Sequence, residues 1–139
     1  MLKRAFICSV LATLTLTAAP AFAQQKLPVV TETAPTITRK ILQKFDVPGT
    51  NFETVIGQAT IVANAAIGRH THFGVEGGMV LEGELVLMVA GQPDRSLKPG
   101  DSYHIPLGTP HDGKSGPAGA KVIATYVVEK GKALATPAP

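Results

Sequence analysis

The sequence predicts an all-β domain, a sandwich or a barrel, and three observations support this fold class. Short runs of β-branched and apolar residues alternate with turn signals at intervals of about 8–12 residues. The 14 glycines and 11 prolines suit many tight turns better than long helices. Apolar residues make up 45% of the chain and charged residues only 17%, which is typical of a globular protein. A length of 139 residues predicts one such domain.

The N-terminal segment Met1 to Ala23 has the pattern of a cleaved secretory signal peptide. Lys3 and Arg4 form its positive end, and an apolar stretch of about fifteen residues follows. Ala21-Phe22-Ala23 then supplies the small-x-small cleavage pattern, so the predicted cut is after Ala23. The alternative is a membrane anchor, but spanning a bilayer takes roughly 20 apolar residues. The composition of the signal indicates a bacterial protein exported to the periplasm, with no stable membrane anchor after cleavage.

Charge and cysteine content narrow the partners and ligands of the mature chain. Without Lys3 and Arg4, the 13 basic residues fall to eleven, against ten acidic ones. This balance, with no basic cluster interleaved with aromatics and no tryptophan, argues against nucleic acid as a partner. The single cysteine, Cys8, lies in the signal. Histidine and carboxylate side chains are therefore the available metal ligands.

Turn signals divide the remainder into elements. Residues 24–36 are rich in threonine and proline and predict a flexible lead. Residues 37–47 fit either a short helix or a strand, because their apolar period is ambiguous. The elements predicted after them are strands over 52–67, 79–81, 84–90, 95–97, 102–105 and 121–129, with a loop over 113–119. The domain therefore covers 37–130, and a frayed tail covers 131–139.

The segment Gly68 to Glu76 contains the residues that best predict function. In an extended strand alternate side chains share a face, so His70 and His72 would project together, while Arg69 and Thr71 face away. Glu76 follows four residues after His72, and His111 offers a fourth ligand further along the chain. Three imidazoles and a carboxylate suit one divalent transition metal, and Fe, Mn, Ni, Cu and Zn all remain open.

Two motifs around these residues resemble those of the cupins, a family of small jelly-roll β-barrels. The first is His70-x-His72, with Glu76 and Gly83 at the expected spacing. The second runs through Gly100, Pro106, Gly108 and His111. The chain departs from the family pattern at Asn64, where a glycine is expected, and at Ser115, where an asparagine is expected.

The resemblance to small single-domain bacterial cupins implies a jelly-roll β-barrel with metal ligation by His70, His72, Glu76 and His111. Among the other candidates, His104 is expected to face the cavity as a proton shuttle, or else to be a surface histidine. Tyr103 and Tyr126 are expected to be packing residues. The run Glu84 to Ala90 is apolar on both faces, so one face is free to meet a second subunit in a homodimer.

Two function classes remain open. One is a metal-dependent enzyme acting on a small molecule, and resemblance to quercetin-dioxygenase-like cupins favours a dioxygenase, with decarboxylase or isomerase as related possibilities. The other is a noncatalytic periplasmic protein that binds a small ligand or a metal. The sequence does not decide between them, because fold does not fix function.

Overall fold

The computed structural model describes residues 36–139, which form an all-β jelly roll with no helix. The predicted signal peptide lies outside the described residues, as does the predicted lead apart from Thr36. The described residues contain no helix that is long and apolar enough to span a membrane. The eight strands are β1 (Ile37–Asp46), β2 (Phe52–Ile61), β3 (His70–Thr71), β4 (Gly74–Val89), β5 (Arg95–Leu97), β6 (Ser102–Ile105), β7 (His111–Glu129) and β8 (Thr136–Pro137).

Strand β7 is the centre of the sheet. Its second half pairs antiparallel with β2 on one side and with the first half of β4 on the other. Its first residues pair with the end of β4 and with β3. Strand β1 extends the sheet beyond β2, and β5 and β6 both pair with β4. All these pairings are antiparallel, as the closely spaced turn signals predict.

Segment 37–47, which fits either a helix or a strand from sequence, is the strand β1 up to Asp46. Two predicted strands, 79–81 and 84–90, are parts of the single 16-residue strand β4. Gly83 does not end this strand but adopts a positive φ of 73° within an irregular stretch where the register with β7 shifts twice. Such bulges bend a strand without breaking it. The buried face therefore moves from even-numbered residues such as Val80 to odd-numbered ones such as Leu85.

The predicted loop 113–119 lies within β7, although Gly116 to Gly119 have no paired residue in β2 or β4. The predicted fraying of 131–139 is corrected by the structure. Thr136 and Pro137 form β8 and pair with Thr71 and His70 of β3. The backbone N–H of Ala138 also donates to the carbonyl of Arg69, at 3.0 Å. Sequence pattern misses this pairing because it depends on a distant edge strand and not on local periodicity.

The core lies between the inner faces of β2, β4, β6 and β7. It is aliphatic apart from Tyr103, and its most buried members are Ile61, Val80, Leu85, Ile105 and Val128. Removal of these side chains from water is the main stabilising contribution of the barrel. The buried polar residues His72, Glu76 and His111 lie beside this core, because Leu85, Leu87 and Val122 line the same cavity.

The close packing of β4 on β7 predicts a clear difference between two glycines of β4. A Cβ at Gly74 would overlap the carbonyl oxygen of Val127, whereas a Cβ at Gly77 meets no atom within 4 Å. Backbone cannot move aside as a side chain can, so Gly74→Ala is expected to lower the free energy of unfolding by about 1–3 kcal/mol. Gly77→Ala is the matched control and is expected to change it by less than about 0.5 kcal/mol. Urea unfolding of the two variants measures this difference, and equal midpoints would contradict the packing described.

Candidate metal centre

Four side chains from three parts of the barrel converge beside the core. His70 lies in β3 and His72 just after it, Glu76 lies near the start of β4, and His111 begins β7. Each offers one ligand atom, and these four atoms all lie within 4.8 Å of one another. The structure therefore brings together all four of the residues that the sequence singles out as metal ligands.

The strand register explains this convergence. His70 is directly opposite His111 across the β3–β7 pair, and their ring centroids are 4.2 Å apart. Glu76 is paired with Tyr126 of β7, and its side chain points to the buried face of β4. Directly paired residues in a sheet project to the same side, so antiparallel pairing places distant parts of the chain on one wall.

Each histidine ring is held by a backbone carbonyl at its Nδ1 atom. Nδ1 of His70 donates to Gly68 at 2.7 Å, Nδ1 of His111 donates to Thr109 at 2.9 Å, and Nδ1 of His72 donates to Leu134. A carbonyl oxygen only accepts hydrogen bonds, so Nδ1 must carry the proton in all three rings. In its neutral form each ring then presents the lone pair of Nε2, and metal-binding histidines are oriented by the same kind of support.

Glu76 lies among these Nε2 atoms. Its Oε2 atom is 2.9 Å from Nε2 of His72 and 3.3 Å from Nε2 of His111. The hydroxyl of Tyr103 donates to the other oxygen, Oε1, at 2.9 Å. This bond fixes the plane of the carboxylate, so that Oε2 is the oxygen that faces the histidines.

The charges of the cluster follow from these contacts. Burial alone would raise the pKa of Glu76, but the side chains of His111, His72 and Tyr103 outweigh it and lower this pKa to about 2. Glu76 is therefore ionised at neutral pH. Burial lowers the pKa of His70, whereas the contact of His111 with Glu76 outweighs burial and raises the pKa of His111. Burial, with Glu76 nearby, also raises the pKa of Tyr103, so its hydroxyl keeps the proton that it donates.

The donor set fits a divalent metal ion. Nε2 of His72, Nε2 of His111 and Oε2 of Glu76 are buried, and no hydrogen-bond partner satisfies them within the described residues. Atoms that present lone pairs to one another at this distance repel unless a proton or a metal cation lies between them. Ligand atoms about 2.1 Å from one ion and at right angles to each other are about 3.0 Å apart, which agrees with the spacing around Oε2.

The family model described as Cupin domain matches residues 57–126, which is half of the chain. The chain belongs to the cupin family. The resemblance seen in the two sequence motifs is thus confirmed, and so is the jelly-roll fold that it implies.

Solved structures show the same fold. The DMSP lyase DddQ from Ruegeria pomeroyi DSS-3 is 20% identical, with a TM-score of 0.63, and the match covers 73% of this cupin and 51% of that chain. KdgF from Halomonas sp. is 24% identical, with a TM-score of 0.58, and the match covers 69% of this cupin and 83% of KdgF. The polyketide cyclase RemF from Streptomyces resistomycificus is 23% identical, with a TM-score of 0.58, and the match covers 75% of this cupin and 73% of RemF. This cupin thus spans about half of the DMSP lyase chain. No curated protein matches it.

The two departures from the cupin motifs both stabilise one loop between β2 and β3. Asn64 adopts a positive φ of 57°, a conformation in which asparagine is the best substitute for the expected glycine. Ser115 is buried, and its hydroxyl donates to the carbonyl of Val62 at 2.6 Å and accepts from the N–H of Ala65 at 3.1 Å. Neither residue is a ligand, so the substitutions leave the metal centre unchanged.

The structure corrects the expectation that His104 faces the cavity. Along β6, Tyr103 and Ile105 are buried and His104 is exposed on the opposite face. Tyr103 is a packing residue of the core, as expected, and its hydroxyl also contacts the carboxylate of the cluster. The sequence does contain a signal for the orientation of β6. Ile105 is aliphatic and is expected to face inwards, so Tyr103, two residues earlier, faces inwards as well and His104 faces outwards.

Tyr126 is a second tyrosine of the site. Its ring packs edge-on against His72, with centroids 4.9 Å apart, and it lines the cavity beside the cluster. Burial raises its pKa, and so does the nearby charge of Glu76. Two protonated phenols therefore stand on the cavity wall. The cavity has a volume of about 70 Å³, and its other walls are mainly aliphatic, with Ile67, Leu87 and Val122 among them.

The C-terminal segment is part of this site. Leu134 supplies the carbonyl that holds His72, and Leu134 and Ala135 line the cavity. The pairing of β8 with β3 keeps this segment in place. A support of this kind outside the ligands typically changes metal affinity by about 10–100-fold.

Removal of residues 133–139 is therefore expected to free Nδ1 of His72 while the barrel stays folded. Nitrogen-15 shifts of the metal-free protein should show mixed tautomers for His72 and an unchanged Nδ1–H form for His111. Leu134→Ala is the control, because it keeps the backbone carbonyl and loses only the side chain. An unchanged tautomer of His72 after the deletion would show that the Leu134 carbonyl does not set it.

Proposed function

We propose that this cupin binds one divalent transition-metal ion through His70, His72, Glu76 and His111, and uses it to transform a small organic molecule. The observation that carries the proposal is the convergence of three buried, unsatisfied atoms, on His72, Glu76 and His111, on one point. When the rings are neutral, Nδ1 carries their only proton, so these atoms cannot satisfy one another, whereas one cation can satisfy all three. The identity of the metal stays open among Fe, Mn, Ni, Cu and Zn.

The chain's own residues prepare this site in three ways. Carbonyl groups orient the imidazoles, so no rotation of the rings is needed when the ion enters. Tyr103 holds the carboxylate with Oε2 towards the imidazoles. Tyr126 stands at the cavity wall with its proton in place and can donate it in a hydrogen bond to a bound oxygen atom. When bound, the ion would supply Lewis-acid chemistry and, if redox-active, electron exchange with dioxygen.

A dioxygenase or a related metal-dependent reaction is the function that this arrangement supports best. Four protein ligands leave two positions open on a six-coordinate ion, whereas four ligands close a tetrahedral zinc site. The apolar wall of the cavity suits the body of a small organic substrate. A lyase and a cyclase are among the proteins of similar fold, so the reaction class is inferred from the site and not from the fold.

The mature protein is expected to contain about one metal ion per chain when it is purified without an affinity tag. His72→Ala and His111→Ala each remove one ligand and should lose most of this metal, with about 10–100-fold weaker binding. His104→Ala is the matched control, because the fourth histidine of the chain lies on the outer face. Elemental analysis beside circular dichroism separates metal loss from unfolding. Equal metal content in all three variants would contradict the ligand assignment.

Turnover is expected to depend on a redox-active metal at this centre. Protein reconstituted in turn with Fe, Mn, Ni and Cu is tested in an oxygen electrode with flavonols, diketones and oxalate. Oxygen uptake with at least one pair of metal and substrate is expected, and His111→Ala should abolish it. Full occupancy by each metal without oxygen uptake or product would favour the noncatalytic binding protein instead.

Export to the periplasm and self-association complete the proposal. Export is supported only by the N-terminal sequence pattern, and mass spectrometry of the mature chain tests it by a new N-terminus at Gln24.

A homodimer is supported by the apolar outer face of β4, where Val75, Met79 and Leu81 are exposed. Sedimentation at two protein concentrations tests whether two chains associate.

A further inference from the structure

Two arginines lie at the mouth of the cavity, next to the metal centre. A groove lined by Arg39, Arg69 and His70 opens to solvent there, and we call it the arginine groove. It shares Arg39, Ile67, His70 and Ala135 with the cavity, so the groove and the cavity are adjacent. None of the described residues that line the groove is acidic.

Arg39 is an exposed residue of β1 that lies beside the cavity. In the sheet it is paired with Ala59, which is paired with Val122, and both of these partners line the cavity. Paired residues share a face, so Arg39 is on the face of β1 that continues the cavity wall. Its guanidinium is therefore both open to solvent and part of the lining of the cavity and of the groove.

No aspartate or glutamate side chain forms an ion pair with either guanidinium in the part of the chain that the structure describes. Arg39 makes no ion pair and no side-chain hydrogen bond among residues 36–139. Arg69 donates from Nε to the backbone oxygen of Pro139 at 2.7 Å, and no ion pair involves it in that range. Both therefore retain donors for an external acceptor, and guanidinium groups bind carboxylates in a two-pronged geometry.

The charge of Arg39 also acts on the cavity wall. Burial and Glu76 raise the pKa of Tyr126, whereas Arg39 acts in the opposite direction and lowers it. Asp112, which also lines the cavity, already accepts hydrogen bonds from the N–H groups of Gly68 and Gly113 through Oδ1, at 2.9 and 2.7 Å. Oδ1 of Asp112 is thus held by backbone donors and not by either guanidinium.

We propose that the arginine groove binds the carboxylate of a small organic acid and that the apolar body of this acid lies against Ile67 in the cavity. The substrate class is then an anion with one apolar end, held at its charged end by Arg39 and Arg69. This inference rests on the proposed function for its catalytic meaning. Binding of the carboxylate, however, depends only on the groove.

Calorimetric titration with matched acids and amides tests the proposal. Benzoate and butyrate are compared with benzamide and butyramide, which have similar shapes and no charge. The full chain, loaded with metal, is expected to bind at least one of the acids more tightly than its amide. The double variant Arg39→Gln/Arg69→Gln should weaken this binding about tenfold or more and leave amide binding unchanged.

Lys40→Gln is the control, since it removes the same charge from the neighbouring residue of β1, whose side chain alternates to the other face. It should bind the acids as the parent chain does, and all variants should keep the parent's metal content and unfolding midpoint. Repetition with chelator-treated protein separates the two hypotheses, because failure to load metal would overturn the proposed function and leave the groove titration valid. Three results would each overturn the proposal that the groove binds carboxylates: equal binding of acid and amide, unchanged acid binding by the double variant, or no acid binding at millimolar concentration.

Discussion

The hydrogen bonds from Nδ1 of the three histidines to backbone carbonyls are the interactions on which the whole site depends. They assign the proton of each ring, and they turn Nε2 of His70, His72 and His111 towards Glu76. Burial makes this arrangement costly when the rings are neutral, because the lone pairs of His72 and His111 and an ionised carboxylate share a space from which water is largely excluded. A metal ion bound among these atoms would relieve that cost.

The barrel supplies these carbonyls from places that local sequence does not connect. Those that hold His70 and His111 come from two residues earlier in the chain, where the backbone enters β3 and β7. The one that holds His72 comes from Leu134, far along the chain, and it is in place only because β8 pairs with β3. The C-terminal segment therefore links the outer edge of the sheet to the metal centre, and it also forms one wall of the cavity. Structural closure and ligand orientation are served by the same few residues.

Much of this could be predicted from sequence, and the failures have physical reasons. The spacing of His70, His72 and Glu76 identifies the ligands, because strand alternation and turn chemistry are local. The continuity of β4 through Gly83 is missed, since a glycine with positive φ fits a bulge as well as a turn. The inward position of Tyr103 in place of His104 depends on strand phase, which Ile105 indicates only when the core is considered. The order of residues 131–139 could not be predicted, because their partners are distant in the chain.

X-ray absorption at the edge of the bound metal tests the central claim most directly. The account predicts a single site with three imidazole nitrogens and one carboxylate oxygen at about 2.0–2.2 Å. Anomalous scattering from crystals of the loaded protein should place that ion between Nε2 of His72, Nε2 of His111 and Oε2 of Glu76. A metal held by other residues, or by Nδ1 atoms instead of Nε2 atoms, would contradict it.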